Sequence, residues 1–398
     1  MKKNGQYTLQ LLRGVPYLLP FGQNVADQRR GVRLDDTGVF LWHALDQVKT
    51  REELLERFLA YSGAGRDDTA RAREDLEQFI ATLSAWGILL PDPQPREPHH
   101  LTLRIGPLTL NLLGKSEYYS PEFDPFALAE AVSPDTMDQT VVVTRDSPPP
   151  PTGARIVLRN RELTVCEGED GWFLFYPQAA HLGQVALTRD GSRATFYVNH
   201  FSAPQEAERL RYDLFHAIRL SFLYLAQRRG CFALHSASIL YRDRAWLFSG
   251  PSGTGKSTQA DLWRETFGVI CLNGDLNLLS LADDRGIERP GKVFVHGLPW
   301  RGTSGISTVG QVELGGIILL RQGTENRLEF LTGDQKQLLV MNRLISPSWT
   351  AGMVETNLAF TGALAGRVPV WRYHCTKETS AAEFLREHID QIIGENAE

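Results

Sequence analysis

Apolar positions change their period along the chain, and the changes mark out its units. Runs at 7–12, 16–20 and 31–34 have the length and residue types of short strands. Beyond them the apolar positions recur every three to four residues. This predicts one helix over 37–45 and a second carrying Leu54, Leu55, Phe58 and Leu59. A third carries the stripe Leu76, Phe79, Ile80, Leu83 and Trp86. Thr50 and Glu53 have capping-box spacing at the start of the second helix. Gly87 is the expected C′ glycine of the third, with a strand over 88–90 behind it. Three helices with flanking strands predict a small winged-helix-like α+β domain over residues 1–93.

The proline-rich stretch 91–95 reads as a linker. A β-rich region over residues 94–230 follows. Strands are expected at 101–105, 108–113, 140–144, 154–158, 172–176 and 194–198, with prolines at 148–151 forming a loop and a helix over 206–227 closing the region. Residues 231–398 then hold buried-strand runs at 245–249, 269–272 and 317–320 between helical segments, the pattern of an α/β domain.

Composition excludes several classes. The 398 residues are 42% apolar and 22% charged with a net charge of −5, ordinary values for a globular chain. No basic stripe tracks along any segment, which argues against nucleic-acid binding. The first ten residues are polar, and the first apolar run is cut by Pro16 and Pro20. No apolar run approaches the ~20 residues of a membrane helix. A cytoplasmic chain without a membrane partner is expected. Cys166, Cys231, Cys271 and Cys375 are far apart with no C-x-x-C pair, so reduced, buried thiols are expected.

Candidate chemistry centres on residues 250–257, which read G-x-x-x-x-G-K-S between an apolar strand and a helix over 258–266. Gly250, Ser252, Gly253, Thr254 and Gly255 turn backbone N–H groups into one concavity, and the helix start adds partial positive charge at Thr258. Lys256 is expected to reach the β and γ phosphates of ATP, and the Ser257 hydroxyl to ligate Mg²⁺. Downstream, Asp275 stands where a second-strand carboxylate can hold the metal or take a proton. The preceding Asn273-Gly274 is equally a hairpin signal, with 276–281 as the return strand. His235, one strand before the loop, reads by spacing alone as a core histidine. Trp300 and Arg301 sit in a rigid turn, where Arg301 can neutralise phosphoryl charge or simply belong to the turn. Asp283 and Asp284 read as a plain turn.

Taken together, Leu-His-Ser-Ala-Ser at 234–238, the loop at 250–258, Leu-Asn-Gly-Asp at 272–275 and Gly-Leu-Pro-Trp-Arg-Gly at 297–302 resemble the HPr-kinase-related serine kinases. The segments 321–327 and 368–373 follow the same pattern. The resemblance covers roughly residues 100–390. It implies a P-loop kinase core of the HPr kinase/PEP carboxykinase type, with Lys256, Asp275, His235 and Arg301 in the catalytic set. Where HPr kinase has a tandem Asp-Asp, this chain has Gly274 and Asp275. HPr kinases assemble into oligomers, so the resemblance leaves room for a homo-oligomer.

The segments 17–22 and 31–42, with the paired helices ending at 86–90, resemble the PqqD family. These domains hold the leader segments of ribosomally made precursor peptides, commonly as an added strand. The two halves together resemble kinases that tailor lasso-peptide precursors. They imply an ATP- and Mg²⁺-dependent kinase acting on a Ser or Thr hydroxyl of a precursor peptide whose leader sits on residues 1–93. Two other readings stand beside this one: a kinase for a small hydroxyl metabolite, and an ATP-sensing binding protein without transfer.

Overall fold

Asp35 opens the first helix, α1 (Asp36–Ala44), by accepting the Gly38 N–H at 2.7 Å. A cap of this kind contributes about 1 kcal/mol. In the computed structural model, which describes residues 2–22, 25, 29–48, 51–63, 69–90, 98–129, 137–199, 203–281 and 291–395, the chain divides into two compact units, residues 1–96 and 97–398.

In the first unit, β2 (Tyr7–Leu12), β3 (Val15–Pro20) and β4 (Val32–Arg33) form an antiparallel sheet in that order, following β1 (Lys2–Lys3). The helices α1, α2 (Arg51–Ser62) and α3 (Thr69–Ala85) surround one core, in which Leu41, Trp42, Leu54, Phe58, Leu76, Ile80 and Leu83 are buried. Gly87, at φ 68°, ends α3. Its N–H bonds the Ser84 carbonyl and the Ile88 N–H bonds that of Leu83, the two bonds of a Schellman cap. The cap turns the chain into β5 (Leu89–Leu90), which pairs with β1. Trp86 departs from the expected stripe: it falls beyond the last helical turn and is 42% exposed. Thr50 of the expected capping box, the 91–95 linker and the 283–284 turn lie outside the described residues.

The second unit carries two sheets. One has eight strands in the order β6 (His99–Ile105), β7 (Leu108–Leu113), β8 (Gln139–Thr144), β13 (Arg193–Val198), β12 (Leu182–Thr188), β11 (Gly171–Phe175), β10 (Thr164–Glu167) and β9 (Arg155–Arg159). Its β10 and β12 were not among the expected strands. The long helix α4 (Pro204–Arg228) packs on this sheet and shares its core with Leu276 and Leu278 of the second sheet and with Trp300.

The second sheet runs β15 (Arg244–Ser249), β14 (Cys231–Tyr241), β16 (Leu276–Ser280), β17 (Phe294–His296), β18 (Gln311–Gln322), β20 (Val370–Cys375), β19 (Arg327–Phe330). A further parallel pairing of β15 with β18 closes the first five into a ring. Alternate residues face opposite cores, as the two-residue period of a strand requires. Ala245, Leu247, Ile317 and Leu319 pack towards α6 (Gly333–Met341) and α7 (Ala351–Ala365). Trp246, Phe248, Ile318 and Leu320 pack towards α5 (Lys256–Phe267) and α8 (Thr379–Glu395). The fold is therefore mixed α/β.

Two local expectations are corrected. Residues 269–272 form no strand. They make only an isolated bridge, Leu240 to Ile270, and Ile270 is 61% exposed. The Asn-Gly hairpin is also absent, because β16 pairs with β14 and β17 instead. All four cysteines are free and buried. Among the described residues no helix is long and apolar enough to cross a membrane.

Candidate functional site

The strand β15 is almost wholly buried and ends at Ser249, where the chain turns into a glycine-rich loop and then α5. Gly253 and Gly255 have φ of 78° and 99°, a region that side chains other than glycine adopt only with strain. Gly255 is the N-cap of α5 and offers it no side-chain cap. The first N–H groups of an α-helix have no intrahelical partner, so those of α5 face the loop. Ser252, Gly253, Ser257 and Thr258 are exposed, while Thr254, Gly255 and Lys256 are half-buried. The Lys256 ammonium donates to the Gly250 and Pro251 carbonyls at 3.2 and 3.4 Å. Burial lowers its pKa and the Asp275 charge opposes that effect. Open space over Gly253, uncapped helix N–H groups and an adjoining ammonium make a donor set that fits an oligophosphate.

Asp275 is placed by the side chain of Asn273, whose Oδ1 accepts the N–H groups of both Asp275 and Leu276 at 2.9 Å. This is an Asx turn, and it explains why an Asn-Gly pair here does not make a hairpin. The buried Asn273 amide is itself fixed by the Leu298 and Trp300 carbonyls. The Asp275 carboxylate lies 3.3 Å from His235 Nε2. That hydrogen bond, aided by Arg219 and Lys256 and opposed by burial, holds the carboxyl below the usual Asp range. Ionised Asp275 favours the folded chain above that range, and this contribution is lost as pH falls through the lowered pKa. His235→Ala is expected to move the acid limb of any Asp275-dependent activity upward in pH. A pH–rate profile of the variant beside the parent checks it.

Two glycines shape this turn, Gly274 against Ser304 and Gly302 against the carboxylate itself. A Cβ on Gly274 would overlap the Ser304 side chain, so the single-carboxylate arrangement is built into the turn. Gly302, at φ 56°, would place a Cβ 2.6 Å from the Asp275 carboxyl. Arg301 does not reach Asp275. It is held by Glu122 at 3.5 Å and the Gly305 carbonyl at 3.3 Å. Trp300 is 1% exposed and donates its N–H to the Phe215 carbonyl, so it is chiefly a core residue.

Two cations absent from the sequence reading join the site. Arg219 of α4 and Arg343 act electrostatically on Asp275 and Lys256 respectively. The Arg343 carbonyl accepts the His235 N–H at 2.9 Å. Arg219 left one trace in the sequence: it is the only Asp, Glu, Lys or Arg between Asp213 and Arg228 in a mostly apolar stretch of helix. Arg343 left none. Among the described residues no group of three or more His, Cys, Asp or Glu is placed to hold a metal. Ser257 and Asp275, the two side chains nominated as metal ligands, are oxygen donors of the kind that suit a Mg²⁺ completed by phosphates and water.

The first unit has its own concavity, a groove of about 760 Å³ between β4 and α3. Its apolar floor includes Leu34, Leu41, Phe58 and Leu83, with Arg33 and Asp75 on the rim. Among the described residues β4 pairs only with β3, which leaves its other edge without a neighbouring strand there. The Leu34 N–H is bonded to Pro16, and antiparallel alternation therefore turns the Arg33 N–H to the open edge.

Residues 25–89 match the family of coenzyme PQQ synthesis protein D (PqqD). They form a PqqD-like domain. The match takes in β4 and all three helices, which are the walls of the groove. No curated protein matches the chain.

Proposed function

We propose that this protein is an ATP-dependent kinase that phosphorylates a Ser or Thr hydroxyl of a ribosomally made precursor peptide, with the leader held by the PqqD-like domain. The observation that carries the catalytic half is the convergence of Lys256, Asp275 and His235 from three separate segments at one uncapped helix start. The peptide half rests on the PqqD-like domain and the open β4 edge above an apolar groove.

In this reading residues 250–257 are a P-loop. Its N–H groups bind the phosphates of ATP, and Lys256 stabilises the transferring group. Asp275, ionised and oriented by His235, takes the acceptor's hydroxyl proton. The acceptor oxygen forms a bond to the γ-phosphorus while the bond to the β–γ bridging oxygen breaks, and ADP leaves with that electron pair. Ser257 and Asp275 would hold Mg²⁺, which would supply charge neutralisation across the phosphates. Arg301 steadies the acceptor wall through Glu122.

Asp275→Asn tests the assignment. It keeps the shape of the turn and the Asn273 bonds but removes the proton acceptor. Transfer is expected to fall about 10²–10⁴-fold, with affinity for metal-free ATP retained. Full transfer by the variant would remove Asp275 from the mechanism.

A further inference from the structure

Resting on that kinase reading, we propose that Ser304 is a site of self-phosphorylation within one chain, and that the phosphate it gains shuts off transfer to the peptide.

Ser304 ends the short turn Gly302–Ser304 and is exposed. Its side chain lies directly against Gly274, because a Cβ built on that glycine would overlap both the Ser304 Cβ and its hydroxyl. The hydroxyl therefore stands within about 8 Å of the Asp275 Cα. Gly302, two residues earlier, packs on the Asp275 carboxyl itself. One short turn thus touches the proton acceptor at its start and offers a hydroxyl at its end. Gly302 and Gly305 bracket that hydroxyl at φ 56° and 68°, so the backbone can pivot on both sides of it. Ser307 and Thr308 differ, since they donate to the Leu298 and Cys271 carbonyls of neighbouring segments. Ser304 bonds only within its own turn, donating to the Arg301 carbonyl at 2.7 Å and accepting the Ile306 N–H at 3.2 Å. Such local bonds are weak, and a hydroxyl that accepts one N–H keeps a second lone pair.

The step balances with ATP as the donor. The Ser304 oxygen forms a bond to the γ-phosphorus while the bond from that phosphorus to the β–γ bridging oxygen breaks. ADP leaves with the electron pair, and the hydroxyl proton goes to Asp275. The product carries close to two negative charges beside the Asp275 carboxylate, where it opposes the arrival of a second γ-phosphate. It also has a cation at hand. The Arg301 guanidinium already bonds the Gly305 carbonyl, and the Arg301 carbonyl accepts the Ser304 hydroxyl. A phosphate on Ser304 competes with Glu122 for that guanidinium and brings the larger charge, so it draws Arg301 away from Glu122. A chain loaded with ATP but without a precursor thereby shuts itself off, whereas a docked precursor competes with Ser304 for the phosphoryl group.

The full chain is incubated with ATP and Mg²⁺ without peptide, and its phosphorylated residues are mapped by mass spectrometry of the digest. A gain of about 80 Da is expected on the fragment holding Ser304, at a rate per chain that does not depend on protein concentration. Ser304→Ala is expected to lose that gain. Treated chains are then given the precursor peptide encoded beside the gene. The treated parent is expected to transfer phosphate to it about tenfold or more slowly than the untreated parent. Ser304→Ala is expected to keep the untreated rate with or without the treatment. A Lys256→Ala chain mixed with active Ser304→Ala is expected to stay unmodified, since the hydroxyl and the loop belong to one chain. Phosphate on the Lys256→Ala chain, or undiminished transfer by a parent modified at Ser304, would each overturn the proposal. The mapping on the parent stands even if a variant fails to fold. A parent that phosphorylates the precursor but leaves Ser304 bare would sink this proposal and spare the kinase reading. Phosphate on neither would sink both.

Discussion

Lys256→Ala is expected to abolish phosphate transfer while leaving leader binding unchanged. The ammonium rests on its own loop's carbonyls within electrostatic range of Asp275, and the kinase reading gives it the transferring phosphoryl group to neutralise. Charge on the transferring phosphoryl group is spread over its oxygens, and removing a cation that neutralises it costs roughly 10³-fold or more, about 4 kcal/mol of barrier. The folded chain loses little, because the side chain is only half-buried and its partners are loop carbonyls. The groove proposed for the leader lies in the other compact unit, so anisotropy of a labelled leader peptide should report the parent's affinity. If leader binding falls together with transfer, the two-module account is wrong.

The second large effect concerns the leader. On the proposed reading, a precursor docked along β4 would present its core segment at high effective concentration. Removing the leader is expected to lower the apparent affinity for the core by about 10²–10⁴-fold with kcat little changed. Supplying the leader as a separate peptide should not restore it, since the gain comes from the covalent link. Arg33→Pro is the matching change on the protein. It removes the N–H at the open edge and spares the Leu34–Pro16 bond to β3. The variant should treat the full precursor as the parent treats the leaderless core, and leaderless core should be used equally by both. Steady-state kinetics on the two substrates, with a melting curve to confirm folding, gives the comparison.

What was legible in the sequence had short range. The three helices of the first unit follow from a 3.6-residue stripe, and the strand, glycine loop and helix around Lys256 follow from residue types that few other structures need. Other elements were hidden by local ambiguity. Residues 269–272 are apolar enough to read as a buried strand, yet Ile270 faces solvent and only one bridge forms. β12 begins Leu-Gly-Gln, where Gln184 is buried because its amide reaches the Pro149 carbonyl, a partner no periodicity reveals. Spacing left the Asn-Gly pair open between a hairpin and a turn presenting Asp275, and the Asn273 side chain decides it by taking the N–H groups that a hairpin would leave to a partner strand.

The site shows the same division. Asp275 and His235 were nominated separately, but their pairing depends on β14 and β16 lying side by side, with His235 opposite Leu276. Arg219 joins them only because α4 lies between the eight-stranded sheet and the β14–β16 face, as their shared core records. That placement is a product of packing between distant segments, beyond the reach of spacing along the chain.

The account's central claim meets its most direct test in one mass measurement. The full chain is incubated with ATP, Mg²⁺ and a precursor peptide encoded beside its gene, with and without the leader, and the intact peptide is weighed. The account predicts a gain of about 80 Da on a Ser or Thr of the core, seen only when the leader is attached. An unchanged peptide from a chain that binds ATP, or an equal gain without the leader, would contradict it.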